Sequence, residues 1–464
     1  MEAATSSQLW ENIIIGIDDI CKQFDKTWRR RNRIIDSKLI VTFLFQSLLS
    51  KGSDGYATTL FELWASLKGK GIESKKGAQV APSSMCEARQ KLDENIFKLI
   101  NKKLVEECET VLPTAARLWQ NRRIFAVDGS KINLPWALNS IGFNLNNQDT
   151  CAPQGLASCL YNLKTKLPHD FTLVDHGDER LAAKSHLQAL VEGDCVVYDR
   201  GYFGYVLLYE HIKTGIDAVF RLSDGTTFPE IKAFINDRSF PSERIVTIIP
   251  TKFTQRDIRK KHNDIMFLPI KLRLIRYRVD SNWYFLGTTV GSLSLSFDHF
   301  AELYHSRWGI EEFYKIIKSH LKVENFHSKT VRGIKQELYG SFVLAAITRI
   351  TTLAVETRVE SIVEVKHSPI KNNKTTSVEL DKSNGQEIFR VNFKHSLKVL
   401  GRFLLGIIYR PCLSEIKIIF SELLDLIESV KSKVRSARKF PRIRKTPNLG
   451  FRNRLQKEKA SILS

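Results

Sequence analysis

Two aspartates each follow a short apolar run that is typical of a buried strand. Asp128 follows residues 124–127 (IFAV), and Asp199 follows residues 195–198 (CVVY). If these strands lie side by side, both carboxylates point at one site, where they could serve catalysis. Aspartate after a strand is also a common turn former, so the pair alone does not establish an active site.

A third carboxylate lies in a helical pattern further along the chain. The segment AELYHSRWGIEEFYKIIKSH places four polar residues at offsets of 0, 3, 7 and 14, namely Tyr304, Arg307, Glu311 and Lys318. At about 100° per residue, these offsets fall within about 60° of one another on a helix. An ordinary exposed face could also collect such residues. This stripe, however, combines an aromatic hydroxyl, two cations and an acid beside apolar residues, which indicates a functional surface.

The same four residues carry a resemblance to a known family. Their spacing, Y-x2-R-x3-E-x6-K, resembles the signature of the DDE transposases of bacterial insertion sequences, in the insertion-sequence-four family. Asp128 in FAVDGS and Asp199 in VVYDRGY resemble that family's first two acids. The segment WGIEEFYKIIKSHLKVENFHSKT extends the similarity, which covers roughly residues 80–450.

The resemblance implies a fold and a metal-dependent site. The fold class is α/β: a ribonuclease H-like core, with a mixed sheet flanked by helices, a β-rich insertion, and helical regions at both ends. Asp128, Asp199 and Glu311 would be catalytic and would bind two Mg²⁺ ions, with Mn²⁺ as a substitute. Asp128 would bridge both ions, and the other two acids would each hold mainly one.

The resemblance also implies roles in binding DNA. Arg307 and Lys318 would contact phosphates, and Tyr304 would donate its hydroxyl to a backbone oxygen near the cut. Trp283 would stack on a base flipped from the DNA end, although a strand tryptophan is more often part of a core. Arg200 would contact phosphate or simply cap its turn.

Composition agrees with a polyanionic partner. Lys+Arg is 71 against Asp+Glu 50, which gives a net charge of +21. From Lys431 to Lys459 there are twelve Lys/Arg and one acid, a pattern we interpret as a flexible arm that neutralises DNA phosphates. The bland alternative is a solvated charge run.

Several classes are disfavoured by what the sequence lacks. The first residues do not form a signal peptide, and the apolar runs are too short to span a bilayer. The seven scattered cysteines include no C-x-x-C pair, and no nucleotide-binding P-loop occurs. We therefore expect a protein of the bacterial cytoplasm, associated with the nucleoid, with no membrane contact.

The pattern of elements, together with what the resemblance implies, predicts six regions along the chain. They are a helical N-terminal region for DNA ends (1–115), the first part of the catalytic core (116–210), the β-rich insertion (211–294), the second part of the core (295–364), a polar linker (365–388), and C-terminal helices with a basic tail (389–464).

The predicted function is cut-and-paste DNA transposition: metal-dependent cleavage and strand transfer at the terminal inverted repeats of an insertion sequence. Acting on two ends predicts a homodimer in the complex with end and target DNA. Two alternatives stay open, a catalytically inactive DNA-binding relic that acts as a repressor and a metal-dependent nuclease without strand transfer.

Overall fold

The computed structural model describes most of the chain, which divides into two compact units. The described residues are 3–29, 34–50, 55–69, 79–143, 152–237, 239, 241–262, 265–279, 282–291, 295–365, 389–409 and 413–433. Met1–Leu112 and His320–Ser464 belong to one unit, which we call the helical unit. Pro113–Ser319 forms the other, which we call the sheet unit.

The helical unit begins with five helices, α1 (Ala3–Trp28), α2 (Ser37–Leu49), α3 (Tyr56–Gly69), α4 (Pro82–Lys91) and α5 (Asn95–Val111). Asp36 starts α2, because its carboxylate accepts the Leu39 N–H at 2.8 Å. Pro82 starts α4 at a position where its missing N–H costs nothing. Almost the whole surface of α2 is buried, so this helix is a core element.

In the described residues, the sheet unit has eight strands, β1 (Ile124–Asn133), β2 (Gln154–Asn162), β3 (Pro168–Val174), β4 (Cys195–Tyr198), β5 (Asp217–Arg221), β6 (Glu243–Ile248), β7 (Ile270–Val279) and β8 (Asn282–Thr288). Their order in the sheet is β3-β2-β1-β4-β5-β8-β7-β6. The pairs β1–β4 and β4–β5 are parallel, and the other pairs are antiparallel. The predicted mixed sheet is therefore confirmed.

The described part of this unit also contains seven α-helices, α6 (Thr114–Arg117), α7 (Glu179–His186), α8 (Tyr205–Thr214), α9 (Pro229–Asn236), α10 (Lys252–Arg259), α11 (His299–Ser306) and α12 (Trp308–Ser319). A large apolar core joins α7, α8 and α9 to the strands, with Tyr198 and Phe220 stacked at 4.9 Å inside it. Gly215 ends α8 in the left-handed region, at φ +68°, which a glycine adopts without strain. Residues 211–294, predicted as a β-rich insertion, contribute β5 to β8 to the same sheet as β1.

The chain then returns to the helical unit with α13 (Val331–Val365), β9 (Phe389–Val391), α14 (Phe393–Tyr409), α15 (Leu413–Glu428) and β10 (Lys431–Lys433). Helix α13 packs against α2, α5, α14 and α15. Its segment Val331–Glu356 has the length and hydropathy of a membrane span, but 94% of the span-like window is buried inside the protein, as in a core helix. The predicted linker lies outside the described residues except for residue 365, and so does the basic tail beyond residue 433.

Candidate active site

Asp128 lies within strand β1, not at its end. The sequence pattern predicted that the strand ends at this aspartate, and that prediction is wrong. The strand continues to Asn133 because residues 129–133 keep pairing with β2, from Gly129 opposite Ser158 onward. The parallel pairing with β4, in contrast, stops at Ala126. The Asp128 carboxylate therefore lies just past the point where β1 and β4 separate.

The environment of Asp128 makes its carboxyl harder to ionise than that of a free aspartate. Burial raises the pKa of Asp128 to about 6, even though the Gly129 N–H donates to its carboxylate at 2.9 Å and Arg307 lies nearby. The neighbouring carboxylates Glu179 and Glu311 raise it further. Acids gathered around a half-buried aspartate form a place where a cation would be stabilised.

Asp199 follows β4 directly and starts the 3₁₀ turn Arg200–Tyr202. Its Oδ1 accepts the Tyr304 hydroxyl at 2.8 Å and lies 3.7 Å from an Arg221 nitrogen. Burial raises the pKa of Asp199, but the hydrogen bonds from Tyr304 and the Arg200 backbone, with the charges of Arg307 and Arg221, outweigh it and leave the pKa below its usual value. Asp199 therefore stays ionised to a lower pH than Asp128 does.

The predicted stripe of polar residues is carried by two helices instead of one. Helix α11 ends at Ser306 and α12 begins at Trp308, with Arg307 between them. Around this junction the hydrogen bonds tighten to three-residue steps, with Arg307 N–H to Tyr304 O and Ile310 N–H to Arg307 O, both 3.2 Å. Gly309 weakens the helix there, because glycine has low helix propensity.

Three members of the stripe still touch one another across the junction. The Arg307 guanidinium lies over the Tyr304 ring at 5.6 Å, and its Nη2 donates to Glu311 Oε1 at 2.7 Å. Glu311 also accepts the indole N–H of Trp308, a half-exposed side chain. Arg307 is only 7% exposed, and its Nε–H finds no acceptor in the described part of the chain. This buried donor is available to an anionic group.

Lys318 and Arg200 reach the rim of the site. The Lys318 ammonium donates to the Lys131 carbonyl of β1 at 2.7 Å, three residues beyond Asp128. Arg200 is exposed beside Asp199. Both residues stand where an approaching polyanion could meet them.

Trp283 is not brought to the carboxylates by any contact in the described structure. It is 40% exposed on β8 and sits opposite Arg278, whose guanidinium lies 5.7 Å from its ring. Its neighbour Tyr284 faces Tyr304 at 6.2 Å. Because successive strand residues point to opposite faces, Trp283 points away from that side. Its stacking role stays a prediction.

Helix α12 is fixed to the sheet by a tyrosine that the sequence argument missed. The buried Tyr314 hydroxyl lies 2.8 Å from the Ala157 carbonyl and 3.0 Å from the Asp128 carbonyl. Tyr314 is three residues after Glu311, so it holds that part of α12 against β1. Its only sequence signal is an aromatic residue one helical turn after the acid, which an ordinary core residue also gives.

Glu179 and Arg221 were missed as well. Glu179, at the start of α7, lies between two glycines of the site, because a Cβ at Gly129 would be 3.5 Å from its side chain and one at Gly201 would be 3.9 Å away. Burial raises the pKa of Glu179, and Asp199 adds to that effect. In the sequence Glu179 resembles an acid that complements a helix N-terminus.

Arg221 ends β5, the strand parallel to β4, and its guanidinium lies 5.7 Å from the Tyr304 ring and 4.9 Å from the Tyr284 ring. Its only sequence signal is its position at the carboxyl end of a strand. That signal points to the site only when the order of the strands in the sheet is known. The two missed residues add an acid and a cation to the site.

Comparison with known proteins bears on what these residues do together. Residues 119–347 match the model of a family described as the transposase DDE domain. This match supports a DDE transposase. The matched range contains both aspartates, Glu311 and the whole stripe. No curated protein matches the chain.

Among solved structures, the chain is similar to a piggyBac transposase in a synaptic complex with hairpin DNA, determined by cryo-EM. The sequences are 9% identical, the alignment covers 83% of this chain and 88% of that one, and the TM-score is 0.35.

Proposed function

We propose that this DDE transposase cleaves phosphodiester bonds at the ends of an insertion sequence and joins the freed ends to target DNA. The observation that carries the proposal is the network of Tyr304, Arg307 and Glu311 with Asp199, next to the half-buried Asp128. Acids alone could be structural. Acids interleaved with a buried arginine that has a spare donor suit a phosphate substrate.

The donor chemistry of the site fits divalent metal ions. Asp128, Asp199 and Glu311 offer the carboxylate oxygens that Mg²⁺ prefers, and Mn²⁺ accepts the same ligands. Among the described residues, no three His, Cys, Asp or Glu side chains are already grouped to hold an ion. Glu311 would therefore exchange its bonds with Arg307 and Trp308 for a metal. A bound metal pair would activate the attacking water or 3′-hydroxyl and stabilise the leaving oxygen.

The other side chains bind and orient the DNA. Arg307, released by Glu311, has both Nη2 and Nε free to fork onto a phosphate. Lys318 adds a point charge at the rim. Tyr304 keeps Asp199 ionised through its hydrogen bond, in addition to the predicted contact near the cut.

The finer assignments belong to the same proposal. They are the insertion-sequence-four family with its Tyr-Arg-Glu-Lys group, the ribonuclease H-like class of the sheet unit, a homodimer in the DNA complex, and a location in the bacterial cytoplasm. The spacing of the four residues and the order of two strand acids before a helix acid support the first two.

A matched pair of variants tests the assignment of Glu311. Glu311→Gln removes a ligand charge, while Glu312→Gln removes the same charge from the adjacent exposed residue, which pairs only with Lys315 among the contacts seen. We expect Glu311→Gln to abolish Mg²⁺-dependent cleavage of duplexes spanning the element boundary, and Glu312→Gln to cleave like the wild type. Both should bind the duplex normally in a gel-shift assay. Full cleavage by Glu311→Gln would remove it from the site.

A further inference from the structure

The outer face of helix α10 is strongly positive. Lys252, Arg256, Arg259 and Lys260 are all exposed. At about 100° per residue they lie at about 0°, 40°, 340° and 80°, so they share one side of the helix. We call these four residues the α10 basic face. The helix contains one acid, Asp257, which pairs with Lys260 at 3.3 Å in an exposed position.

The opposite side of α10 holds the helix on the sheet unit. Ile258 packs against the apolar core. The Thr251 hydroxyl caps the helix by accepting the Thr254 N–H at 3.3 Å, and the Gln255 amide donates to the Pro250 carbonyl at 2.8 Å. Because the helix is fixed at its start and through its inner side, the α10 basic face stays directed to solvent.

An exposed aromatic ring stands beside these cations. Phe253 is 68% exposed, and the Arg256 guanidinium lies 5.9 Å from its ring. Arg259 lies over the half-buried Phe267 ring at 5.2 Å. Arginine fixed over an aromatic ring keeps most of its N–H donors pointing outward. Cations interleaved with an exposed ring are the combination that nucleic-acid surfaces use.

We propose that the α10 basic face binds the sugar–phosphate backbone of duplex DNA, with Phe253 packed against a sugar. The inference rests on the proposed function, because it takes DNA as the substrate. The helix is about 12 Å long, and a duplex presents a phosphate about every 1.7 Å of its axis, so four cations can each meet a phosphate. The contact reads no bases and holds any duplex equally.

The salt dependence of binding tests this contact. In the variant Lys252→Gln/Arg256→Gln/Arg259→Gln/Lys260→Gln, the four charges are lost but helix propensity is nearly kept. The slope of log K against log salt is negative, and each lost phosphate contact makes it shallower by about 0.9. Losing all four contacts should therefore make the slope shallower by up to about 3.6. The matched control, Arg256→Lys/Arg259→Lys, keeps the charges and should keep the slope. Circular dichroism checks that both variants fold.

The outcomes separate this contact from the catalytic proposal. The duplexes are one that spans an element boundary and one of scrambled sequence. A reduced slope on both supports the α10 contact, even if the wild type fails to cleave. An unchanged slope in a folded Gln variant overturns it, while boundary cleavage by the wild type would leave the catalytic proposal standing. Failure of the wild type to bind any duplex overturns both.

Discussion

At the scale of single residues, the site sets two aspartates apart by their surroundings. Burial and neighbouring carboxylates raise the pKa of Asp128 to about 6, whereas the Tyr304 hydroxyl and nearby arginines hold the pKa of Asp199 below its usual value. Such divergence is common where carboxylates have different tasks. The buried Arg307 donates to Glu311, and its charge lowers the pKa of both Asp128 and Asp199, so one cation influences all three carboxylates.

A buried histidine outside the site, His211, predicts how the stability of the protein depends on pH. His211 is fully buried, donates from Nδ1 to the Ile216 carbonyl at 2.9 Å, and accepts the Tyr198 hydroxyl at Nε2 at 2.8 Å. Burial lowers the pKa of His211 to about 4 from about 6.5. As the pH falls, the unfolded chain therefore binds a proton at His211 before the folded protein does. The stability that depends on His211 is fully present above pH 6.5 and is lost as the pH drops toward 4.

This proton uptake lowers the free energy of unfolding by about 3 kcal/mol at most, which follows from the difference between a pKa of about 6.5 and one of about 4. Urea unfolding of the wild type and His211→Gln between pH 7 and pH 4.5 measures it. We expect the wild type to lose more stability than the variant over this range. Parallel pH dependence in the two proteins would contradict the assignment.

At the scale of elements, the site depends on how α12 sits against the sheet. The Tyr314 hydroxyl lies within hydrogen-bond distance of two backbone carbonyls, one on β1 and one on β2, and its ring is buried. Because one of those carbonyls belongs to Asp128 itself, a single side chain links the strand acid to the helix that carries Glu311. The packing of α12 therefore positions the Glu311 carboxylate as well as stabilising the fold.

Tyr314→Phe tests this link. The change keeps the ring but leaves two buried carbonyls without that donor, which costs about 1–3 kcal/mol. We expect a lower thermal midpoint together with slower boundary cleavage, because Glu311 is held less firmly. A variant with an unchanged midpoint and unchanged cleavage rate would show that other contacts fix α12.

The sequence predicted the two strands that carry the aspartates better than it predicted the element boundaries. The apolar runs before Asp128 and Asp199 are strands as predicted, and the condition that they lie side by side is met, because β1 and β4 are adjacent and parallel. The continuation of β1 was missed because residues 129–133 are mostly polar and their pairing with β2 is a long-range choice. The break at Arg307 was missed because a single tightened turn barely changes the helical periodicity of the sequence.

At the scale of the whole molecule, charge and chemistry point to the same partner. The net charge of +21 is spread widely, with the α10 basic face on the sheet unit and the predicted basic arm outside the described residues beyond residue 433. Such charge gives attraction to any nucleic acid without selecting a sequence. In the proposed function, the carboxylate network would supply the reaction, and selection of the element ends would require contacts of another kind.

The central claim is that the chain joins DNA as well as cutting it. The most direct measurement incubates the protein and Mg²⁺ with labelled duplex spanning the element boundary and a supercoiled target plasmid, beside Asp199→Asn. We predict 3′-hydroxyl ends at the boundary and labelled ends joined to the plasmid, with neither product from Asp199→Asn despite normal binding. Cleavage without joined product would contradict transposition and indicate a nuclease, and equal binding with no cleavage by either protein would indicate a DNA-binding relic.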